Sequence, residues 1–167
     1  IPASFPKKLP KVFETAEDFV RDPDYHTYQD GSLCLGSDIR LLQVCSENLN
    51  IFAFFEKVVV PCLYSISHKL KYGTPPYGEL GHGEVGLIDD YEKLFGLDGK
   101  QAVLLAIKAL SKRYREANKL KCPCGCALRL GLCDFRLELN KFRYLAKRSW
   151  FDNYLKSYFQ PIQKKQN

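Results

Sequence analysis

Apolar residues recur at helical spacing in the middle of the first half of the chain. The stripe consists of Ile51, Phe54, Phe55, Val58, Val59 and Cys62. Because an α-helix repeats every 3.6 residues, these positions share one face and predict a buried helix with Cys62 as a core residue. Pro61 has no amide donor and crowds the preceding turn, so we expect a kink there.

The surrounding stretch, residues 49–66, is the most apolar region of the chain. It is interrupted by Glu56, Lys57 and Pro61, which makes it too broken for an uninterrupted apolar helix across a bilayer. The sequence therefore predicts a core helix and no membrane partner.

Three more helices are predicted after a loop rich in glycine and proline at residues 73–83. The first covers residues 84–95 and ends at Gly96; Asp98 then caps a longer helix, with Gln101 as its capping-box partner. Apolar stripes mark the inner faces of the second and third helices, at Val103, Ile107, Leu110 and Tyr114 and at Phe135, Leu139, Phe142 and Leu145.

The N-terminal region has a different pattern. Three prolines within the first ten residues favour extended backbone, and residues 12–14 are predicted to form a short strand. Turn-forming steps between Asp22 and Gly36 surround the apolar group at residues 33–35, which places Cys34 in or beside a loop. A lone cysteine between two leucines is most often a small buried hydrophobe.

Composition narrows the class of protein. The 167 residues are 46% hydrophobic and predict one main folded unit. The absence of methionine, even at position 1, indicates a fragment or a processed chain. The net charge of +6 is not gathered into one block, so we expect no nucleic-acid partner. The basic residues nevertheless concentrate late in the chain, where an acidic partner could dock or where they simply form a solvated face.

Cysteines supply the first candidate chemistry. Four of the seven lie within twelve residues, at Cys122, Cys124, Cys126 and Cys133, with glycines that allow tight turns. An odd number of cysteines and no secretory signal favour a reducing, cytoplasmic location and a metal site over a disulfide framework. Structural zinc suits four thiolates, with a metal-free remnant or redox chemistry as the alternatives. The cluster has no neighbouring His and Glu, so we do not expect a catalytic zinc.

The cysteine cluster resembles the short zinc motif called SEC-C, which runs Cys-x-Cys, eight residues, then Cys followed by Cys or His. Cys122, Cys124 and Cys133 match this motif. Asp134 stands at the position of the fourth ligand, so either Cys126 or Asp134 completes the shell.

The region from Leu9 to Gly36 resembles the ubiquitin-conjugating enzyme family. That family shows a strand of the type Pro-x-Val-x-Phe-x-Thr, then a His-Pro-Asn turn and Gly-x-Ile-Cys-Leu. The corresponding positions here are Pro10, Val12, Phe13, Thr15, His26, Gly31, Cys34 and Leu35. Together with the loop at residues 77–83, the chain looks most like the bacterial branch found in antiphage operons, with cyclic-oligonucleotide (CBASS) synthases or ubiquitin-like modifiers.

This resemblance implies that Cys34 carries a thioester, with His26 bracing its loop. The family's asparagine is absent, because His26 is followed by Thr27 and Tyr28. His82, on its glycine-flanked loop, is the first candidate to replace that asparagine as the oxyanion donor. The other candidate donors are the backbone amides around Cys34 and the hydroxyls of Ser32 and Tyr28, and the candidate carboxylates for the incoming amine are Asp30 and Glu79.

The fold expected from this resemblance is α+β: a ubiquitin-conjugating-like core, its N-terminal strands truncated, followed by a mostly helical C-terminal half with a small zinc knuckle. The predicted regions are the core at residues 1–118, the cysteine cluster at 119–134 and C-terminal helices at 135–167.

The function implied is that of a conjugating-type acyl transferase in antiphage defence, which passes the acyl group from Cys34 to a lysine. Its expected partners are a cyclic-oligonucleotide synthase or a ubiquitin-like protein of the same operon, and an activating enzyme. The alternative is a binding module without catalysis, in which the zinc knuckle and the basic C-terminal region bind protein or nucleic acid.

Overall fold

The computed structural model describes residues 1–6, 8–16, 19–47, 50–76, 81 and 83–159. The chain divides into two units, Ile1–Gly83 and Glu84–Asn167, which we call unit 1 and unit 2. Each unit is described by itself below.

Unit 1 begins with irregular chain in place of the expected strands. Two isolated antiparallel bridges, Phe13 with Ser32 and Thr27 with Leu33, are the only β-pairing of its described residues. The backbone bonds beside the first bridge run from the Glu14 amide to the Gly31 carbonyl (2.9 Å) and from the Leu33 amide to the Val12 carbonyl (2.9 Å). A sheet needs several consecutive pairs of this kind.

Local side chains explain why the pairing stops. Pro10 has no amide to donate. The Glu14 carboxylate accepts from the amides of Thr15 and Ala16, both at 2.9 Å, which removes those donors from a ladder. The predicted α+β ubiquitin-conjugating-like core is therefore wrong, because no β-strand or sheet occurs in the described parts of either unit and the elements are helices and turns.

Helices form the rest of unit 1. Helix α1 is Asp38–Glu47, α2 is Ile51–Phe54, a π-helical turn covers Phe55–Val59, and α3 is Val60–Tyr72. Their buried face contains Leu41, Cys45, Phe54, Val58 and Val59, against which Phe5, Leu9, Val12 and Leu35 pack. The predicted apolar stripe is confirmed at Phe54, Val58 and Val59, whereas Phe55 is exposed.

A π-helical turn lies just before Pro61, where we expect a kink. The hydrogen bond that closes this turn runs from the Val60 amide to the Phe55 carbonyl, five residues back. This wider turn lies directly before Pro61, where one helical donor is missing, so the helix continues past the proline. The continuous helix Ile51–Tyr72 is long and apolar enough to cross a membrane by length and composition, with 22% of its apolar window buried. Our expectation of an interrupted helix is thus wrong, while length and composition alone do not identify a membrane span.

Unit 2 contains five helices among its described residues. They are α4 (Gly83–Phe95), α5 (Lys100–Ser111), α6 (Tyr114–Ala117), α7 (Phe135–Asn140) and α8 (Arg148–Tyr154), with a 3-10 turn at Leu130–Leu132 and a π-helical turn at Leu155–Phe159. The predicted end of α4 at Gly96 is confirmed, since Gly96 has φ +65.

Two details of the helix prediction are wrong. The N-cap of α5 is Gly99, without a side-chain cap, and its amide donates to the Glu92 carboxylate at 2.7 Å. Asp98 therefore does not cap the helix. The last predicted helix ends at Asn140, and the chain continues through turns to Leu145, although Leu139 and Leu145 are buried as expected.

The core of unit 2 lies where α5 packs against α8. Val103, Ile107 and Leu110 of α5 are fully buried, which confirms the predicted inner face at these three positions. The fourth predicted position, Tyr114, lies in α6 and is 48% exposed, so the prediction is wrong there. The hydroxyls of Tyr91 and Tyr154 lie 2.6 Å apart in this interior and share a hydrogen bond, so both buried hydroxyls have a partner. Helix α5 also contacts α6 and α7, the helices that flank the cysteine-rich segment.

Candidate metal centre

A short antiparallel pairing positions the first cysteine of the cluster. The Cys122 amide donates to the Leu128 carbonyl and the Leu130 amide to the Leu120 carbonyl, both at 2.8 Å, around the bridge between Lys121 and Arg129. Because side chains alternate across such a ribbon, Cys122 faces the opposite side from Lys121. Cys122 is 1% exposed, and its sulfur points toward the protein interior.

Backbone turns bring the other three thiols back to Cys122. Gly125 and Ala127 have φ +82 and +63 and reverse the chain around Cys124 and Cys126. Gly131 allows a close approach, since a Cβ there would stand 2.9 Å from the Asn118 Cβ. The Cys133 amide then donates to the Leu130 carbonyl at 3.2 Å.

The four sulfurs form one compact group. Cys122 Sγ lies 3.2 Å from Cys124 Sγ, which lies 3.7 Å from Cys133 Sγ, and all four sulfurs lie within 4.8 Å of one another. Four sulfurs bound tetrahedrally at ~2.3 Å from zinc are about 3.8 Å apart. The cluster therefore has the size of a four-thiolate metal shell, and it can hold a metal ion.

This geometry settles which residue joins the three motif cysteines. The group contains Cys126, whereas Asp134 is not part of it. Asp134 is the N-cap residue of α7, where its backbone carbonyl accepts the Leu137 amide (2.8 Å). The structure thus favours Cys126 over Asp134 as the fourth ligand.

The environment of the thiols differs across the cluster. A hydrogen bond from the Cys126 amide, followed by one from the Cys122 thiol, lowers the pKa of Cys124 to about 7. Burial raises the pKa of Cys122 well above its usual range. A divalent cation would compensate the cost of burying a Cys122 thiolate, because metal coordination deprotonates a thiol outright.

The residues predicted to form a thioester site lie in unit 1. The Cys34 amide donates to the His26 carbonyl at 2.7 Å, so the structure brings these two residues together through the backbone. Cys34 is half-buried. His82 and Glu79 lie outside the described residues.

Two further candidate polar groups, Asp30 and Ser32, bind each other within their own loop. The Asp30 carboxylate accepts from the Ser32 amide (2.9 Å) and the Ser32 hydroxyl (2.5 Å). These bonds from Ser32 lower the pKa of Asp30. Ser32 therefore donates to Asp30, and its hydroxyl is not directed at an oxyanion beside Cys34.

Cys62 is a neighbour of Cys34 that the sequence did not predict. The Cys62 sulfur lies 3.9 Å from the Cys34 carbonyl oxygen, within reach of a weak S–H hydrogen bond. Burial, and then the nearby Cys34, raise the pKa of Cys62 to about 11. Cys62 lies on the predicted helix but is only half-buried, so the prediction that it is a core residue is wrong. No sequence signal pairs it with a residue 28 positions earlier.

No protein-family model, curated protein or solved structure matches this chain. The geometry of the described residues therefore carries the functional argument alone.

Proposed function

We propose that the chain is a zinc-stabilised binding protein, in which Cys122, Cys124, Cys126 and Cys133 of unit 2 hold one structural zinc ion. The observation that carries this proposal is the convergence of four sulfurs within 4.8 Å. Zinc fits this donor set, because soft thiolates in a tetrahedral arrangement select it over the hard cations.

A structural role follows from the number of ligands. Catalytic zinc keeps one position open for water or substrate, whereas four thiolates close the shell. The zinc would tie the ribbon to the turn that precedes α7, since Cys122 lies on the ribbon and Cys133 stands just before that helix. The ion therefore fixes a segment that otherwise has only one bridge of β-pairing.

The test is metal analysis of the protein purified without added metal. Native mass spectrometry and elemental analysis are expected to find one zinc per chain. Cys126→Ser should lose it and Asp134→Asn should keep it. Absence of metal from the wild type, together with no uptake on reconstitution under reductant, would overturn the proposal.

A second candidate function is acyl transfer through Cys34. One observation favours it: the bond between the Cys34 amide and the His26 carbonyl joins the two residues that the conjugating-enzyme resemblance singles out. The absence of a β-sheet from the described residues removes the family's fold as support. The experiment is intact mass spectrometry of the protein from its native operon, with and without thiol reductant. A thiol-labile adduct on wild type and none on Cys34→Ala is expected if Cys34 carries an acyl group, and no adduct on either protein would exclude it.

A further inference from the structure

Charge is divided unequally between the two units. Unit 2, residues 84–167, contains 17 lysines and arginines against nine aspartates and glutamates, a net charge of +8. Unit 1, residues 1–83, contains eight against ten, a net charge of −2. The overall value of +6 is thus the sum of two opposite parts, and unit 2 is the one suited to a polyanionic partner.

The ribbon beside the metal centre carries a pair of like charges. The hydrogen bonds flank the bridge between Lys121 and Arg129, so these residues occupy a non-hydrogen-bonded position, where facing Cβ atoms come closest. Both side chains are exposed, as is Lys119. The ion pairs of the described residues involve none of the three. Two facing cations repel each other. A zinc ion held by four thiolates has a net charge of −2 and offsets part of this repulsion, and an anion bound on the exposed side of the ribbon would offset more of it.

An exposed tyrosine, Tyr114, precedes the ribbon and is held in place by an arginine. The Arg143 guanidinium stands over the Tyr114 ring, 5.5 Å from its centroid, and donates to the carbonyls of Lys112 (3.1 Å) and Ala109 (3.0 Å). The Asn140 amide donates to the Tyr114 hydroxyl at 3.0 Å. The Tyr114 ring is thereby fixed, and it is still 48% exposed.

A second exposed ring and a backbone connection extend this surface. Tyr144, directly after Arg143, is 67% exposed. The Asn118 amide donates to the Tyr114 carbonyl (3.0 Å), and the Asn118 carbonyl accepts from Gly131 (3.1 Å), at the base of the ribbon. The segments that carry the tyrosines and the ribbon cations are therefore joined by these hydrogen bonds and by the contact of Arg143 with Tyr114.

We propose that this surface binds single-stranded nucleic acid, with phosphates along Lys119, Lys121 and Arg129 and unpaired bases stacked on Tyr114 and Tyr144. Cations that follow a backbone and exposed rings that stack with bases are the two components of sequence-tolerant single-strand binding. An acidic peptide would use the cations but has no need of two exposed rings. The inference rests on the proposed zinc function, because the zinc is what fixes the ribbon.

The experiment uses the zinc-loaded full chain and fluorescence anisotropy of a labelled oligothymidylate strand of about 20 nucleotides. The wild type should bind with an affinity that falls steeply with salt. In the double variant Lys121→Gln/Arg129→Gln, the slope of log affinity against log salt should fall by about 1.4, because each lost phosphate contact removes about 0.7. Tyr144→Leu should weaken binding roughly fivefold or more at every salt concentration with an unchanged slope, because stacking is not ionic.

The matched control removes two charges from the same unit. Lys93 lies near the end of α4, and Lys100 is the first residue of α5, about 17 Å along that helix from Ser111. The variant Lys93→Gln/Lys100→Gln should leave both affinity and slope unchanged. Equal binding of a duplex of the same length, no effect of Tyr144→Leu, or equal binding of polyglutamate would overturn the single-strand proposal. Zinc is measured in every sample: a wild type without zinc contradicts the metal proposal, whereas zinc-loaded protein that does not bind the strand contradicts this inference alone.

Discussion

The two units organise cysteine in opposite ways. In unit 2 four thiols meet within 4.8 Å because a twelve-residue segment folds back on itself. In unit 1 Cys34 approaches Cys62 only because the loop of Cys34 packs near a helix 28 residues later, and their contact is between a sulfur and a backbone carbonyl. A site made by local turns is encoded in the spacing of its residues, whereas a site made by packing depends on the whole fold.

Loss of the metal should give the largest difference in amide hydrogen exchange between the two units. Structural zinc contributes on the order of 10 kcal/mol in small zinc modules. We therefore expect Cys122→Ser to lose zinc and to increase amide hydrogen exchange across residues 118–133, with exchange in α1 and α3 unchanged. Cys62→Ser is the matched control and should keep its zinc. Retained zinc in Cys122→Ser, or equal loss of protection in both units, would contradict this division.

A core substitution in unit 1 should lower stability while the zinc content of unit 2 stays unchanged. Phe54 is 1% exposed and its ring packs edge-on against Phe5 at a centroid distance of 6.2 Å. Phe54→Ala should lower the free energy of unfolding by about 3–5 kcal/mol, because it leaves a cavity. Urea denaturation followed by circular dichroism measures this loss.

The control for the cavity is on the same short helix. Phe52 is 74% exposed, and Phe52→Ala should change the free energy of unfolding by no more than about 0.5 kcal/mol. Zinc content should be unchanged in both variants. A large effect of Phe52→Ala would show that this exposed ring is covered in solution.

The sequence predicted those features that depend on neighbouring residues. The helical period placed Phe54, Val58 and Val59 on a buried face, Gly96 ended α4, and four closely spaced cysteines formed a cluster. Each of these follows from a few consecutive residues and the geometry of a helix or a turn.

The α+β prediction was wrong for a physical reason. Matching Pro10, Phe13, Gly31 and Cys34 to a family pattern fixes their order, but a sheet also needs free amides at consecutive positions. Glu14 captures two of those amides with its own carboxylate. A short acidic side chain can compete with strand pairing in this way, and an ordered motif contains no information about that competition.

A smaller effect is expected at the turn before Cys34. Gly31 has φ +80, and a Cβ there would lie 3.1 Å from the Glu14 carbonyl oxygen. Gly73 has φ +78 with nothing within 4 Å. We expect Gly31→Ala to cost about 2 kcal/mol and Gly73→Ala about 1 kcal/mol, because both are strained and only Gly31 is also crowded. Equal losses in urea denaturation would show that the pairing of residues 13 and 32 is not close in solution.

The last comparison concerns the reactivity of the thiols and needs no variant. With its pKa raised to about 11, Cys62 is about one part in a thousand thiolate at pH 8. Burial also raises the pKa of Cys45, which is 1% exposed. In zinc-loaded protein, iodoacetamide at pH 8 should therefore modify the half-exposed Cys34 before Cys45 or Cys62, as mapped by peptide mass spectrometry.

Since only the thiolate reacts, the rate at Cys62 should rise about tenfold per pH unit until the pH approaches 11. A chelator should expose the four clustered thiols of unit 2 while Cys62 stays protected. Alkylation of Cys62 as fast as Cys34 would mean that the packing of α3 against the Cys34 loop does not persist in solution, and unit 1 would then lack the packed thiol site that distinguishes it from unit 2.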